Sequence, residues 1–92
     1  MSTIVRHLRI RGLVQGVYYR QSMLEQAQSL HVTGWVRNRR DTSVEAMVSG
    51  SPQAVDRIID WSRTGPPGAA VSEVVVTQAE GDFARFERLP TA

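Results

Sequence analysis

Between Ile4 and Val14, Leu8, Ile10 and Val14 fall on one parity and His7, Arg9 and Arg11 on the other, the period of a half-buried strand. Beyond Gly16 the period lengthens. Tyr19, Met23, Ala27 and Leu30 recur at helical spacing among Gln, Glu and Leu, which predicts a first helix running through about Leu30. From Val32 to Asn38 the spacing returns to two. Val44, Ala46 and Val48 then alternate with Glu45 and Met47, so two strands joined by a hairpin over the polar residues Arg39 to Ser43 are expected. Ser51 followed by Pro52 is a helix start, with serine as N-cap and proline in the first turn, and Val55, Ile58 and Ile59 form its buried stripe. Gly65, Pro66 and Pro67 stop that helix. Val71 to Thr77 is the most strand-like stretch, and Gly81-Asp82 precedes a last short alternating piece, Phe83 to Leu89.

Strand, helix, strand, strand, helix, strand is the order of an α+β ferredoxin-like sandwich (β-α-β-β-α-β). An antiparallel sheet of four to five strands is expected, with two helices on one face. The other face would meet water, carrying Arg9, Arg11, Arg37 and Glu45. A chain of 92 residues buries roughly 60 to 65% of its unfolded surface, too little for a second core, so residues 1–92 are read as one domain. Hydrophobic residues at 41% and charged residues at 22% are ordinary globular values and exclude disorder and fibrous repeats.

With no cysteine there is no disulfide, and a small domain stabilised by packing alone suits a reducing cytoplasm. Met1 to Ile10 lacks the unbroken apolar run of a signal peptide or membrane span, so a cytoplasmic protein without a membrane partner is expected. The sequence pI of about 9.9 suggests nucleic acid, but a formal net charge of +2 is too small for a basic stripe. No segment reads as the paired-aromatic run of an RNA-recognition sheet either. Every basic residue is arginine. Lysine chemistry is thereby excluded, and an anion site must use arginine or backbone amides. His7 and His31 are the only histidines, which with no cysteine argues against a zinc site of usual composition, and the lack of a CxxC removes a metal carrier.

Candidate chemistry concentrates in Gly12 to Arg20, GLVQGVYYR, where the first strand feeds a glycine-bearing loop into a helix N-terminus. Such a junction presents unpaired N–H groups in one direction, a concavity that suits a tetrahedral dianion. Gly16 permits close backbone approach, and the planar fork of Arg20 in the first helical turn can bind two phosphate oxygens. The same segment also reads as an ordinary glycine turn with a solvated first-turn arginine. It lacks the GxxxxGK of a Walker loop.

Gly34 to Gly50 reads GWVRNRRDTSVEAMVSG. Together the two segments resemble the acylphosphatase family, whose signatures are GxVQGVxFR and a strand-hairpin-strand segment containing GWVRN. Ala27 and Leu30 stand at the family's spacing before the second motif. Gly65-Pro66-Pro67 matches a frequent GPP, and Phe86 matches a late aromatic. The resemblance implies an enzyme that hydrolyses small acyl phosphates, with Arg20 as its phosphate-binding catalytic residue and Asn38 orienting the attacking water. It also implies that the amides of Gln15, Gly16, Val17, Tyr18, Tyr19 and Arg20 complete the cradle. No metal or other cofactor is expected, inorganic phosphate should inhibit as product, and a monomer that binds no nucleic acid is expected. Three positions depart from the family pattern. Tyr19 replaces the usual phenylalanine and should still pack; His31 replaces a glycine after the helix and should cap it in a left-handed conformation. Thr42 stands where the hairpin usually has glycine, so either it is strained at positive φ or the turn differs.

The residue inventory suits the same substrates. A carboxylate whose conjugate acid has a pKa of about 4 leaves phosphorus without a proton, so no general acid is required. An alkoxide would need one or a metal, and neither motif supplies a histidine, cysteine or carboxylate except Asp41, which reads as a turn residue. One guanidinium, one amide side chain and a nest of N–H groups can position substrate and stabilise charge on a phosphoryl transition state. Asn38 cannot be a base at neutral pH, and the resemblance implies that the substrate's own phosphate takes the proton from water. Trp35 and Trp61 read as packing residues. Arg37, Arg39 and Arg40 read as a solvated hairpin face with at most a steering role. The competing readings are a non-catalytic anion- or nucleic-acid-binding module on this fold, or a relative of the acylphosphatase-like domain that serves carbamoyl phosphate inside a larger maturation enzyme.

Overall fold

A computed structural model describes residues 2–92, and in it each patterned stretch becomes the element its period implies. The order is β1 (Ile4–Leu13), α1 (Tyr19–Leu30), β2 (Thr33–Asn38), β3 (Val44–Gly50), α2 (Pro52–Ser62), β4 (Ala70–Gln78) and β5 (Phe86–Arg88). The strands form one sheet in the order β4-β1-β3-β2-β5. β3 pairs antiparallel with both β1 and β2, in a register that sets Ile10, Val44 and Asn38 side by side. β1 and β2 therefore run the same way, and the loop that leaves β1 emerges at the edge where β2 ends.

The sheet is mixed, which corrects the expected antiparallel arrangement: β5 pairs parallel with β2. β4 occupies the opposite edge, antiparallel to β1. Only residues 79–85 separate β4 from β5. Four strand spacings of about 4.8 Å come to roughly 19 Å, which so short a segment can cross only along the end of the sheet where β4 finishes. β5 must then run back against β4, and that direction is shared by β2. The strand is also shorter than the alternating stretch from Phe83 to Leu89.

Both helices cover one face. Leu8 and Ile10 of β1, Val36 of β2 and Val44, Ala46 and Val48 of β3 meet Tyr19, Met23 and Ala27 of α1 and Val55 and Ile58 of α2, all buried, with Phe86 closing the edge. α2 is capped as its sequence implies, the Ser51 hydroxyl accepting from the Ala54 N–H with Pro52 in the first turn. Tyr19 packs as expected against Trp61, ring centroids 5.3 Å apart, and its hydroxyl donates to the Ser62 carbonyl at 2.8 Å. Burial pushes the Tyr19 phenol well above its ordinary range, so it remains a proton donor.

The open face is less solvated than its charges suggested. Glu45 is 8% exposed, enclosed by His7 at 2.6 Å, Arg37 at 2.8 Å and Arg39 at 3.4 Å. Of the expected solvated cluster only Arg40 is exposed. Trp35 lies on this open face instead of in the core, with the Arg37 guanidinium 4.7 Å from the centroid of its ring, a cation–π contact.

His31 caps α1 in the left-handed conformation, φ 59°, ψ 38°. In the hairpin, Asp41 is a turn residue whose Oδ1 accepts from the Ser43 N–H at 3.0 Å. Thr42 between them has φ 75°, a conformation poor for a β-branched residue. Thr42→Gly is expected to raise stability by about 0.5 to 1 kcal/mol, read from denaturant midpoints. Lower stability would mean that the threonine side chain contributes more than its backbone strain costs.

Candidate active site

The chain between β1 and α1 turns twice through positive φ, at Gly16 (φ 74°) and at Tyr18 (φ 68°, ψ 20°). Glycine adopts this conformation freely, and a Cβ at Gly16 would meet nothing within 4 Å, so the position is both left-handed and open. Tyr18 is the unexpected one. It occupies the N-cap of α1, where Ser or Asp in an extended conformation is usual, and makes no side-chain cap. Alternation of left-handed residues with their neighbours turns successive N–H groups to one side, forming a nest.

None of the N–H groups from Gly16 to Gln21 donates to a backbone or side-chain acceptor among the described residues; the first bonded amide is Ser22, which donates to the Tyr18 carbonyl at 3.1 Å. No acidic residue stands in the first turn of α1. The positive end of this helix is thus left without a carboxylate, a side-chain cap or a backbone acceptor, in contrast to the capped α2. An anion is the natural occupant.

An open depression of about 280 Å³ lies over this junction, lined by Val14, Gly16, Tyr18, Tyr19, Arg20, Gln21 and Arg88. The structure therefore brings together Gly16, Tyr18, Tyr19 and Arg20 of the residues singled out in the sequence. Gln15, Val17 and Asn38 do not line the depression. Arg88 does, and the sequence offered no sign of it, because β5 reaches this edge only through its parallel pairing with β2.

Gln15 acts through its side chain. Its amide Nε2 donates to the carbonyls of Arg39 at 2.8 Å and Ser43 at 2.9 Å, tying the glycine loop to the β2–β3 hairpin. Asn38 is the last residue of β2, one residue before that tie, and shares the parity of the buried Val36, so it lies on the helix side of the sheet. Its Oδ1 is buried and has no hydrogen-bond partner among the described residues. Gly34, the second residue of the same strand, has φ 135°, where a Cβ would collide with the Met47 carbonyl, and this explains the glycine of GWVRN.

The hairpin is held electrostatically from the open face. Burial pushes Glu45 up, but hydrogen bonds from His7 and Arg37 and their charges outweigh it and leave the carboxyl below its usual range. Asp41 is also lowered, by its bonds to the Ser43 hydroxyl and N–H before any effect of Arg11 and Arg9. Among the described residues no three His, Asp or Glu side chains are gathered as metal ligands, and no helix is long and apolar enough to cross a membrane.

The family model for acylphosphatase matches residues 6–88. The acylphosphatase of Acidovorax sp. (strain JS42) is 55% identical over 91 residues, 98% of this chain and 94% of that one. The chain belongs to the acylphosphatase family. Acylphosphatase activity follows for it: hydrolysis of the carboxyl–phosphate bond of acyl phosphates. The structure of an acylphosphatase from Coxiella burnetii superposes with a TM-score of 0.91 at 33% identity, covering 95% of this chain and 93% of that one. Full-length HypF in its phosphate- and nucleotide-bound form superposes with a TM-score of 0.90 at 24% identity, covering 98% of this chain but 12% of that one, a likeness of fold.

Two outcomes follow from this geometry. Gln15→Leu and the isosteric Gln15→Glu, neither of which can donate to the two carbonyls, should each lose about 1 to 3 kcal/mol of stability and speed hydrogen exchange in residues 38–43. An unchanged melting temperature would show that the tie carries no weight. Because the folded-state pKa of Glu45 is depressed, its contribution is present above the unfolded pKa of about 4.3 and is lost as pH falls through the folded value. Wild type should therefore lose stability below about pH 4.5 more steeply than Glu45→Gln; parallel curves of midpoint against pH would contradict this.

Proposed function

We propose that Arg20 and the open amides of the glycine loop bind the phosphoryl group of the acyl phosphate, and that Asn38 orients the water that attacks it. The observation that carries this reading is the row of N–H groups from Gly16 to Gln21 left without acceptors beside the Arg20 guanidinium. Such preorganised donors stabilise charge on the equatorial oxygens of a loose transition state without reorganising during the reaction. The place of Asn38 at the end of β2, one residue before the Gln15 tie to the glycine loop, supports a water held by its side-chain oxygen. Accepting one hydrogen from water there leaves an oxygen lone pair free to attack phosphorus in line with the departing carboxylate. The P–O bond to the acyl group breaks as the new one forms, and the carboxylate leaves as an anion. The water's proton passes to a phosphate oxygen, so no side chain need act as a base.

On this reading the 92 residues work as one monomeric, metal-independent domain in the cytoplasm, and inorganic phosphate competes with substrate for the loop. The lack of cysteine supports the location, and the loop amides left open beside Arg20 support competition by phosphate without a metal.

Arg20→Lys keeps the charge but loses the bidentate fork, so turnover and phosphate affinity should both fall, with about 3 kcal/mol or more lost from transition-state stabilisation. Asn38→Ala should cut turnover about a hundredfold or more and leave phosphate affinity within a few-fold. Steady-state hydrolysis of benzoyl phosphate in EDTA, with phosphate binding read from the rise in melting temperature, separates the roles. Full turnover in Asn38→Ala, or a loss of phosphate binding equal to that of Arg20→Lys, would overturn the assignment of water to Asn38.

A further inference from the structure

The depression over the glycine loop holds two guanidinium groups, and the proposed binding of phosphate uses one. Five other arginines are matched to acids: Arg9 and Arg11 to Asp41 at 3.3 and 3.6 Å, Arg37 and Arg39 to Glu45 at 2.8 and 3.4 Å, Arg85 to Glu87 at 3.0 Å, while Arg6 of β1 donates to the Val5 carbonyl. Arg20 and Arg88 form no ion pair among the described residues, and no acidic residue lines the depression. A wall with two unneutralised cations and no carboxylate favours an anionic ligand, and where the loop amides share the phosphate with Arg20 the second cation is free for another anionic group.

Arg88 is also held in place. Its Nη1 donates to the Gln21 side-chain oxygen at 2.9 Å, and the Gln21 amide in turn donates to Glu25 at 3.2 Å, one turn further along α1. A neutral partner orients the guanidinium without cancelling its charge, and most of its N–H donors remain unused. Arg20 and Gln21 are consecutive helical residues, whose side chains diverge by about 100°. The group that Gln21 holds thus approaches the depression from a different side of α1 than Arg20 does, which favours a second position over a second finger on the same oxygens. The space agrees. The depression measures about 280 Å³. A phosphate displaces roughly two or three water volumes of about 30 Å³ each, which leaves most of it for the acyl group. The acyl part would thus lie among Tyr18, Gln21 and Arg88.

We propose that Arg88 is a specificity-determining residue that selects acyl phosphates whose acyl group ends in a second carboxylate. Its planar fork matches a carboxylate with two parallel hydrogen bonds, and such a charge-assisted pair discriminates against an apolar group of similar size. The inference rests on phosphate occupying the Arg20 loop, and its test is chosen to be independent of how tightly phosphate binds.

The experiment compares kcat/KM for 4-carboxybenzoyl phosphate and 4-methylbenzoyl phosphate, whose para substituents are similar in size and cannot reach their own carbonyl. Wild type should favour the carboxylate substrate, and the preference should shrink as salt is raised. In Arg88→Gln the ratio of the two kcat/KM values should fall about tenfold or more, and in Arg88→Glu further still. Any effect of Arg88 on phosphate binding or folding is common to both substrates and cancels in the ratio. A ratio in Arg88→Gln within twofold of wild type would overturn the proposal. Failure of the underlying reading would appear differently, as Arg20→Lys hydrolysing 4-methylbenzoyl phosphate as well as wild type does.

Discussion

The pairing of β3 with both β1 and β2 is the constraint on which the site depends. Because both neighbours run antiparallel to β3, they finish at the same edge, and the glycine loop and Asn38 arise there from distant parts of the chain. Register is as important as direction. Val36 and Asn38 share a parity, so a slip of one residue would move Asn38 to the open face and expose Val36. Burying each Val, Leu or Ile of the helix-covered face contributes about 1.5 to 3 kcal/mol, and with Leu8, Ile10, Val36, Val44 and Val48 all buried the slipped register is heavily disfavoured. The hydrophobic core thereby determines on which side of the sheet a polar residue is presented.

Charge is distributed unequally over the two faces. On the open face the carboxylates of Glu45 and Asp41 gather His7, Arg9, Arg11, Arg37 and Arg39, which offsets their charge and ties the hairpin to its neighbours. At the edge where the loop enters α1 the pattern reverses, with guanidinium groups, a helix N-terminus and unpaired amides and no acid among the lining residues. A protein with net charge of only +2 can so present a strongly anion-seeking site, because its negative charges are spent elsewhere.

Among the described residues, the three non-glycine residues at positive φ divide by purpose. His31 ends a helix, and Thr42 closes a hairpin around Asp41. Tyr18 does neither in the ordinary way, since it stands at a helix start without capping it. Its conformation turns the loop amides outward, away from satisfaction within the protein. Backbone strain of about 1 to 3 kcal/mol is retained where surrounding structure holds it, and here the buried Tyr19, bonded to Ser62 and packed on Trp61, fastens the next residue of the chain.

Periodicity determined the helices, the four long strands and their inward faces, and Ser51-Pro52 determined the cap of α2, because each depends on side chains a few residues apart. The glycine loop pointed to Gly16 and Arg20 for the same reason, since local spacing carries them, whereas Asn38 was indicated by the resemblance to the family. Tertiary structure decided what depends on pairs distant in sequence. Parallel pairing of β5 follows from where β4 ends, and Arg88 reaches the loop through it. The bonds of Gln15 to Arg39 and Ser43, the enclosure of Glu45 and the exposure of Trp35 on the open face were also beyond local reading. A side chain's partner across a sheet is set by register and topology, and these emerge only when the whole chain buries its apolar face at once.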